Sequence, residues 1–214
     1  MIKKTGLFGG TFNPIHNGHL ELGKKVLQNF KLDNIFYILS ARPPHKSLSN
    51  LAPVKLRWEM LKSCLEPHQE EFSPINIEMQ YNTPSWTIDT VLRLKIKYPQ
   101  SNFCFISGSE GFLKIRTWKK YQKLLKELPF IIILRDNKHL KDIQQIADET
   151  DLNVYHNNSL IPFDTGIYLF NYQSSTLDIS STMIRDLKRN KKDISPFLSQ
   201  TILKYIKENN LYEV

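Results

Sequence analysis

The chain has 214 residues, 41% of them hydrophobic, which is enough for one sizeable core and leads us to expect a single domain over residues 1–214. Its 29 Lys and Arg against 21 Asp and Glu give a net charge of +8, a sign of anionic partners that does not choose among nucleotides, nucleic acid and acidic membrane. Cys64 and Cys104 lie far apart in apolar stretches, a pattern that suits buried free thiols in a reducing compartment better than a disulfide framework. The opening run MIKKTGLFGG has no secretory apolar region, and the longest strongly apolar run, residues 130–134, is too short for a bilayer, so a soluble cytoplasmic protein is expected.

In chain order, residues 2–8 read as a buried strand, followed by a glycine-rich loop and a helix whose apolar face carries Leu20, Val26, Leu27 and Phe30. A second strand is expected at 35–39, a helix at 54–65, a third strand at 75–79, and a helix at 87–97 where Ile88, Val91, Leu92 and Ile96 recur at three and four. Strands at 103–107 and 130–134 follow, and the basic run 185–192 belongs to a late helix and its exit. Alternation of this kind requires crossover connections. The expected class is α/β, a Rossmann-like doubly wound, mostly parallel sheet with helices on both faces and a C-terminal helical region. Ligands in such sheets bind beyond the carboxyl ends of the strands, so the loop after the first strand is the first place to search.

That loop, residues 6–19, reads GLFGGTFNPIHNGH. Its glycines let the backbone approach a ligand, and the helix that follows offers free amides to phosphate. The dinucleotide fingerprint GxGxxG is absent, and GHLELGKK, residues 18–25, is not a P-loop because it ends in Lys and lies within the helix. His16 and His19, three apart, could cap a turn or form half of a zinc site, but no third ligand stands at a recognisable spacing. Residues 9–19, GGTFNPIHNGH, resemble the HxGH signature of the nucleotidylyltransferase superfamily. The resemblance implies that His16 and His19 bind the triphosphate of ATP and stabilise the transition state of attack at the α-phosphorus, with Gly9, Gly10, Thr11, Phe12 and Gly18 in the same ATP-binding run. Asn13 stands where many bacterial members carry Asp, and a local effect on the turn is expected.

Near the other end, ISSTMIR, residues 179–185, offers Ser180, Ser181 and Thr182 as helix caps, and Arg185 can return to the helix mouth where a phosphate would sit. The run is similar to the ISSTxxR signature of the same superfamily, which implies that these hydroxyls, amides and arginine hold ATP phosphates. ARPPHK, residues 41–46, resembles a loop of bacterial nicotinate mononucleotide adenylyltransferases that closes on the mononucleotide, which assigns His45 and Lys46 to substrate and Lys46 to the charge stabilisation. TPSWTIDT, residues 83–90, is similar to that family's PSYT stretch, with Trp86 for Tyr. By the same resemblance Trp118 stacks on the pyridine ring, and backbone amides near it and near Thr87 receive the nicotinate carboxylate.

Three departures stand beside these matches. Gly108 fits the ATP side, but Glu110 replaces the usual Asp at a ribose or metal contact. Arg135, also assigned to substrate, opens RDNK instead of Arg-Pro-Gly, and residues 148–173 form a longer segment without an assigned role. The resemblance implies adenylyl transfer from ATP to nicotinate mononucleotide, Mg²⁺ bound through ATP with no dedicated protein metal site, no nucleic-acid or membrane partner, and a monomer or small homo-oligomer. The alternatives are nicotinamide mononucleotide or phosphopantetheine as acceptor, or a basic RNA-binding protein that keeps the fold without the reaction. No RNP motif, zinc knuckle or dense basic-aromatic array supports the last.

Overall fold

β1 (Lys3–Gly10) is buried through its middle, and its neighbours on both sides run parallel to it. This computed structural model describes residues 2–44, 51–156, 164–172 and 178–213. After β1 come α1 (Asn17–Asn29), β2 (Asn34–Leu39), α2 (Val54–Leu65), β3 (Phe72–Ile75), α3 (Thr87–Lys97) and β4 (Ser101–Gly108). The second half contains the short α4 (Ser109–Phe112), α5 (Tyr121–Glu127), β5 (Phe130–Leu134), α6 (Leu140–Thr150), β6 (Val154–His156), β7 (Ile167–Asn171), α7 (Ser181–Arg189) and α8 (Gln200–Glu208).

The strands order as β3-β2-β1-β4-β5-β7-β6, every described pairing parallel, which is the expected Rossmann-like α/β sheet. Successive side chains of a strand face opposite ways, and the two cores follow from that. Phe8, Tyr37 and Ile106 join α1, α2, α7 and α8 through Val26, Met60, Ile184 and Ile202. Leu7, Phe36 and Phe105 join α3, α5 and α6 through Val91, Leu125 and Ile143. From β1 the chain winds outward to β2 and β3, then returns across the sheet to β4. The order therefore reverses between β1 and β4, and loops leaving their carboxyl ends part to open a crevice. Cys64 and Cys104 are buried free thiols, and among the described residues no helix is long and apolar enough to cross a membrane.

The helices at 54–65 and 87–97 have the expected bounds, but the strand expected at 75–79 does not form. β3 runs from Phe72 to Ile75, paired from Ile35↔Phe72 to Ile38↔Ile75, and the chain then leaves the extended conformation at Asn76, with φ −104° and ψ 18°. Ile77–Gln80 is instead a 3₁₀ turn. Within the long segment 148–173, β6 and β7 extend the sheet, with β7 between β5 and β6.

One buried side chain fastens the carboxyl ends of the strands together. Arg57 of α2 is 2% exposed and donates from Nε to the Ala52 carbonyl at 2.9 Å and from Nη1 to the carbonyls of Thr11 at 2.9 Å and Ser40 at 2.8 Å. Its Nη2 donates to the Ala41 carbonyl at 3.1 Å. The planar fork thus joins the exit of β1, the exit of β2 and the entry to α2 without a carboxylate partner among these contacts. Replacing Arg57 with Met would leave these carbonyls to find other donors, and we expect a loss of about 3 kcal/mol or more of stability by urea unfolding. A loss below about 1 kcal/mol would show that water takes over the guanidinium's role.

Candidate active site

β1 delivers Gly9, Gly10 and Thr11 to the crevice, and the chain then turns at Phe12, which sits in the left-handed region at φ 43°. This conformation is costly for a bulky residue, and burial of the ring holds it. The Phe12 ring is 1% exposed and packs 5.2 Å from His19, 5.8 Å from Tyr37 and 6.2 Å from Phe8. Its side chain therefore belongs to the core, and only its backbone faces the loop. Asn13 is fully buried, and its Oδ1 accepts from the Ala52 N–H and from the Tyr212 hydroxyl, each at 3.0 Å. Its effect reaches past the turn and ties the loop to the entry of α2 and to the far end of the chain.

His16 caps α1, Gly18 is buried in its first turn, and His19 stands at the third helical position. The His16 backbone N–H donates to Nδ1 of His19 at 3.2 Å. A backbone N–H can only donate, so Nδ1 of His19 accepts and the neutral ring carries its proton on Nε2. The two imidazoles lie 3.7 Å apart between centroids at 33°. Burial, and after it the positive charge of Arg135, hold the His16 pKa down at about 3, so it is neutral at physiological pH. Below this pair, Tyr37 donates its hydroxyl to the His19 carbonyl at 2.9 Å. A Cβ on Gly23 would collide with that hydroxyl, so the close approach of α1 to β2 requires glycine there.

The two distant signatures meet at this loop. Ser180 caps α7 by accepting from the Met183 N–H at 3.1 Å, and Ser181 donates its hydroxyl to the Pro14 carbonyl at 2.9 Å. Arg185 donates to the Asn13 carbonyl at 2.8 Å and to the Thr182 hydroxyl at 3.2 Å, while its buried Nε has no partner among the described residues. Burial lowers the Arg185 pKa, but a guanidinium stays charged throughout the physiological range. The amino ends of α1 and α7, two imidazoles and a guanidinium thus share one corner, an arrangement made for a polyanion.

Beside that corner a cavity of about 370 Å³ opens at the switch point. Its floor is Gly9, Gly10 and Gly108 at the strand ends, and its far wall carries Trp86, Thr87 and Trp118. Trp118 meets Phe105 edge-on at 5.8 Å, and Thr87 is the first residue of α3, so a flat ring and helix-end amides lie side by side. Pro43 and Pro44 form the rim. His45 and Lys46, expected on that loop, lie outside the described residues. Glu110 is exposed in α4 and outside the cavity wall, with its carboxylate close to Gly108. Arg135 is exposed after β5 and also off the wall, on the side where its charge reaches His16.

Sequence reasoning missed four residues here. Arg57 is one polar position within the helix at 54–65, and Tyr212 lies far from every motif. Glu78 lies on the wall, 8% exposed, accepting from the Thr90 hydroxyl at 2.7 Å and the Ala41 N–H at 3.4 Å, and burial raises its pKa. Lys119 also lines the wall and pairs with Asp89 at 2.9 Å. The available signal was a carboxylate inside an apolar run for Glu78 and adjacency to Trp118 for Lys119.

Residues 7–187 match the Cytidylyltransferase-like family. The chain is 32% identical over 214 residues to a probable nicotinate-nucleotide adenylyltransferase of Desulfotalea psychrophila, covering 99% of this chain and 100% of that protein. It is 33% identical to a protein of the same name from Carboxydothermus hydrogenoformans, covering 98% of each. Its fold is similar to that of the Plasmodium falciparum nicotinic acid mononucleotide adenylyltransferase complexed with NaAD, with a TM-score of 0.75, 23% identity, and coverage of 98% and 97% of the two chains. Since these matches run nearly end to end in both directions, the chain belongs to the nicotinate-nucleotide adenylyltransferase family of cytidylyltransferase-like enzymes.

Proposed function

We propose that this chain, acting as a single domain over residues 1–214, transfers the adenylyl group of ATP to nicotinate mononucleotide in NAD biosynthesis, forming nicotinate adenine dinucleotide and pyrophosphate. The observation that carries the reading is the meeting of His16, His19 and Arg185 beside a cavity walled by Trp86 and Trp118. Two buried free thiols fit a reducing cytoplasm.

A phosphate oxygen of the mononucleotide attacks the α-phosphorus of ATP, and the bond to the pyrophosphate oxygen breaks. That nucleophile is already anionic at neutral pH, so the step needs little general-base assistance. The demand is electrostatic, because two polyanions must be brought together and charge builds on the α-phosphoryl group and the departing pyrophosphate. The Nε2–H of His19, the neutral His16 ring, the charged Arg185 and the first amides of α7 answer it, and the resemblance of the PPHK run adds Lys46. The backbone of Gly9, Gly10, Thr11 and Phe12, with Gly108 across the crevice, lets the nucleotide lie close to the sheet. Trp118 covers the pyridine ring and the amino end of α3 at Thr87 faces its carboxylate. Mg²⁺ enters this reading as an ion carried in with ATP. Bound there, it would neutralise phosphate charge.

Pyrophosphate release with ATP and Mg²⁺ tests the reading, with nicotinate mononucleotide, nicotinamide mononucleotide and phosphopantetheine as acceptors. The first is expected to be preferred, and activity with another alone would overturn the assignment. His19→Ala should lower turnover about 10²- to 10³-fold with the fold intact, and near-normal turnover would remove its role. Trp118→Ala should raise the mononucleotide KM and leave that of ATP almost unchanged, whereas a shift confined to ATP would reverse the two subsites. His16 also sets a pH dependence. Its folded pKa of about 3 lies below the ordinary value of 6.5, so the unfolded chain takes the proton first and stability falls as pH drops through that window. By pH 5 this contributes a loss of about 2 kcal/mol, which should be missing from the unfolding curves of His16→Asn.

A further inference from the structure

Nicotinate and nicotinamide mononucleotides differ by a carboxylate in place of a neutral carboxamide. An enzyme that separates them does best with positive potential where that group lies. Among the described residues of the cavity wall, Lys119 is the one cation and Glu78 the one acid. They are differently placed. Glu78 is buried, with its oxygens engaged by Thr90 and Ala41. Lys119 keeps 38% of its side chain exposed, and its Nζ lies 2.9 Å from Asp89 and 5.8 Å from the centre of the Trp86 ring. It follows Trp118 directly, and Asp89 stands in the first turn of α3, two residues after Thr87 of the wall.

We propose that Lys119 is a specificity-determining residue, whose ammonium, held at the aromatic end of the cavity by Asp89, pairs with the pyridine carboxylate and so selects the acid mononucleotide over the amide. This inference rests on the reading of the cavity as the mononucleotide site. An ion pair as exposed as Lys119–Asp89 is loosely held, and an ammonium has three donors on a flexible stem. Lys119 therefore keeps one N–H on Asp89 and turns another to the substrate. A carboxylate gains a charge-assisted hydrogen bond, while a carboxamide gains a neutral acceptor contact of roughly half the strength. Asp89 orients the ammonium and also lowers its net potential, so removing the Asp89 charge strengthens the preference.

The test compares wild type with Lys119→Met, Lys119→Arg and Asp89→Asn in two readouts. One is kcat/KM for each mononucleotide with ATP. The other is the Kd of each mononucleotide without ATP, from quenching of tryptophan fluorescence. Lys119→Met should lower the acid-to-amide ratio about 10- to 100-fold, through the KM and Kd of the acid, with the KM for ATP and the melting temperature unchanged. Lys119→Arg should keep the ratio within a few-fold, and Asp89→Asn should hold or raise it. A wild type that binds acid and amide equally would overturn the proposal, as would a Lys119→Met protein that keeps the wild-type ratio. If wild type turns over neither mononucleotide, the proposed reaction fails, and the binding ratios still decide the role of Lys119. If Lys119→Met does not fold, Lys119→Gln takes its place.

Discussion

The carboxyl ends of β1 and β2 cannot separate, because one guanidinium holds both. Arg57 takes a carbonyl from each exit and two from the polypeptide that leads into α2, so the geometry of the crevice depends on a residue of the helix behind it. The peptide between Ser40 and Ala41 is gripped from both sides, its carbonyl by Arg57 and its N–H by Glu78. From there Arg42 exchanges hydrogen bonds with Ser85, donating to its hydroxyl and accepting from its amide, and donates to the Tyr81 carbonyl as well. The wall bearing Trp86 and the strand exit bearing Gly10 are therefore parts of one hydrogen-bonded frame. Burying a cation in that frame is costly, and the cost is met by carbonyl dipoles that would otherwise lack partners.

The division of labour around the crevice follows from the sheet order. On the α1 and α7 side are fixed donors and positive charge; on the α3 side are rings and a helix end. A transfer reaction between two anions needs the first to lower repulsion and the second to orient the acceptor. The topology supplies both, since α1 follows β1 and α3 leads into β4, and those two strands flank the switch point.

How much of this could be read from the sequence depends on how local each determinant is. The loop at residues 9–19 and the cap at 179–185 are legible because glycine, proline, serine and histidine act on their own few residues of backbone. The helices at 54–65 and 87–97 are legible because periodicity is a local property. What the sequence conceals is pairing at a distance. Ile75, Ile77 and Met79 alternate as a strand would, yet only Ile75 pairs with β2, and beyond it the chain coils into a 3₁₀ turn that carries Glu78 inward to Thr90 and Ala41. β7 has a strong apolar run, but nothing nearby announces that it inserts between β5 and β6. Arg57 and Lys119 are ordinary basic residues until the fold shows what faces them.

Asn13 accepts from Tyr212, and α7 is fastened to the same loop through Ser181 and Arg185. The loop that opens the nucleotide corner is therefore held by partners 167 to 199 residues further along the chain, so a lesion confined to α7 or to Tyr212 loosens that corner as directly as one in the loop itself.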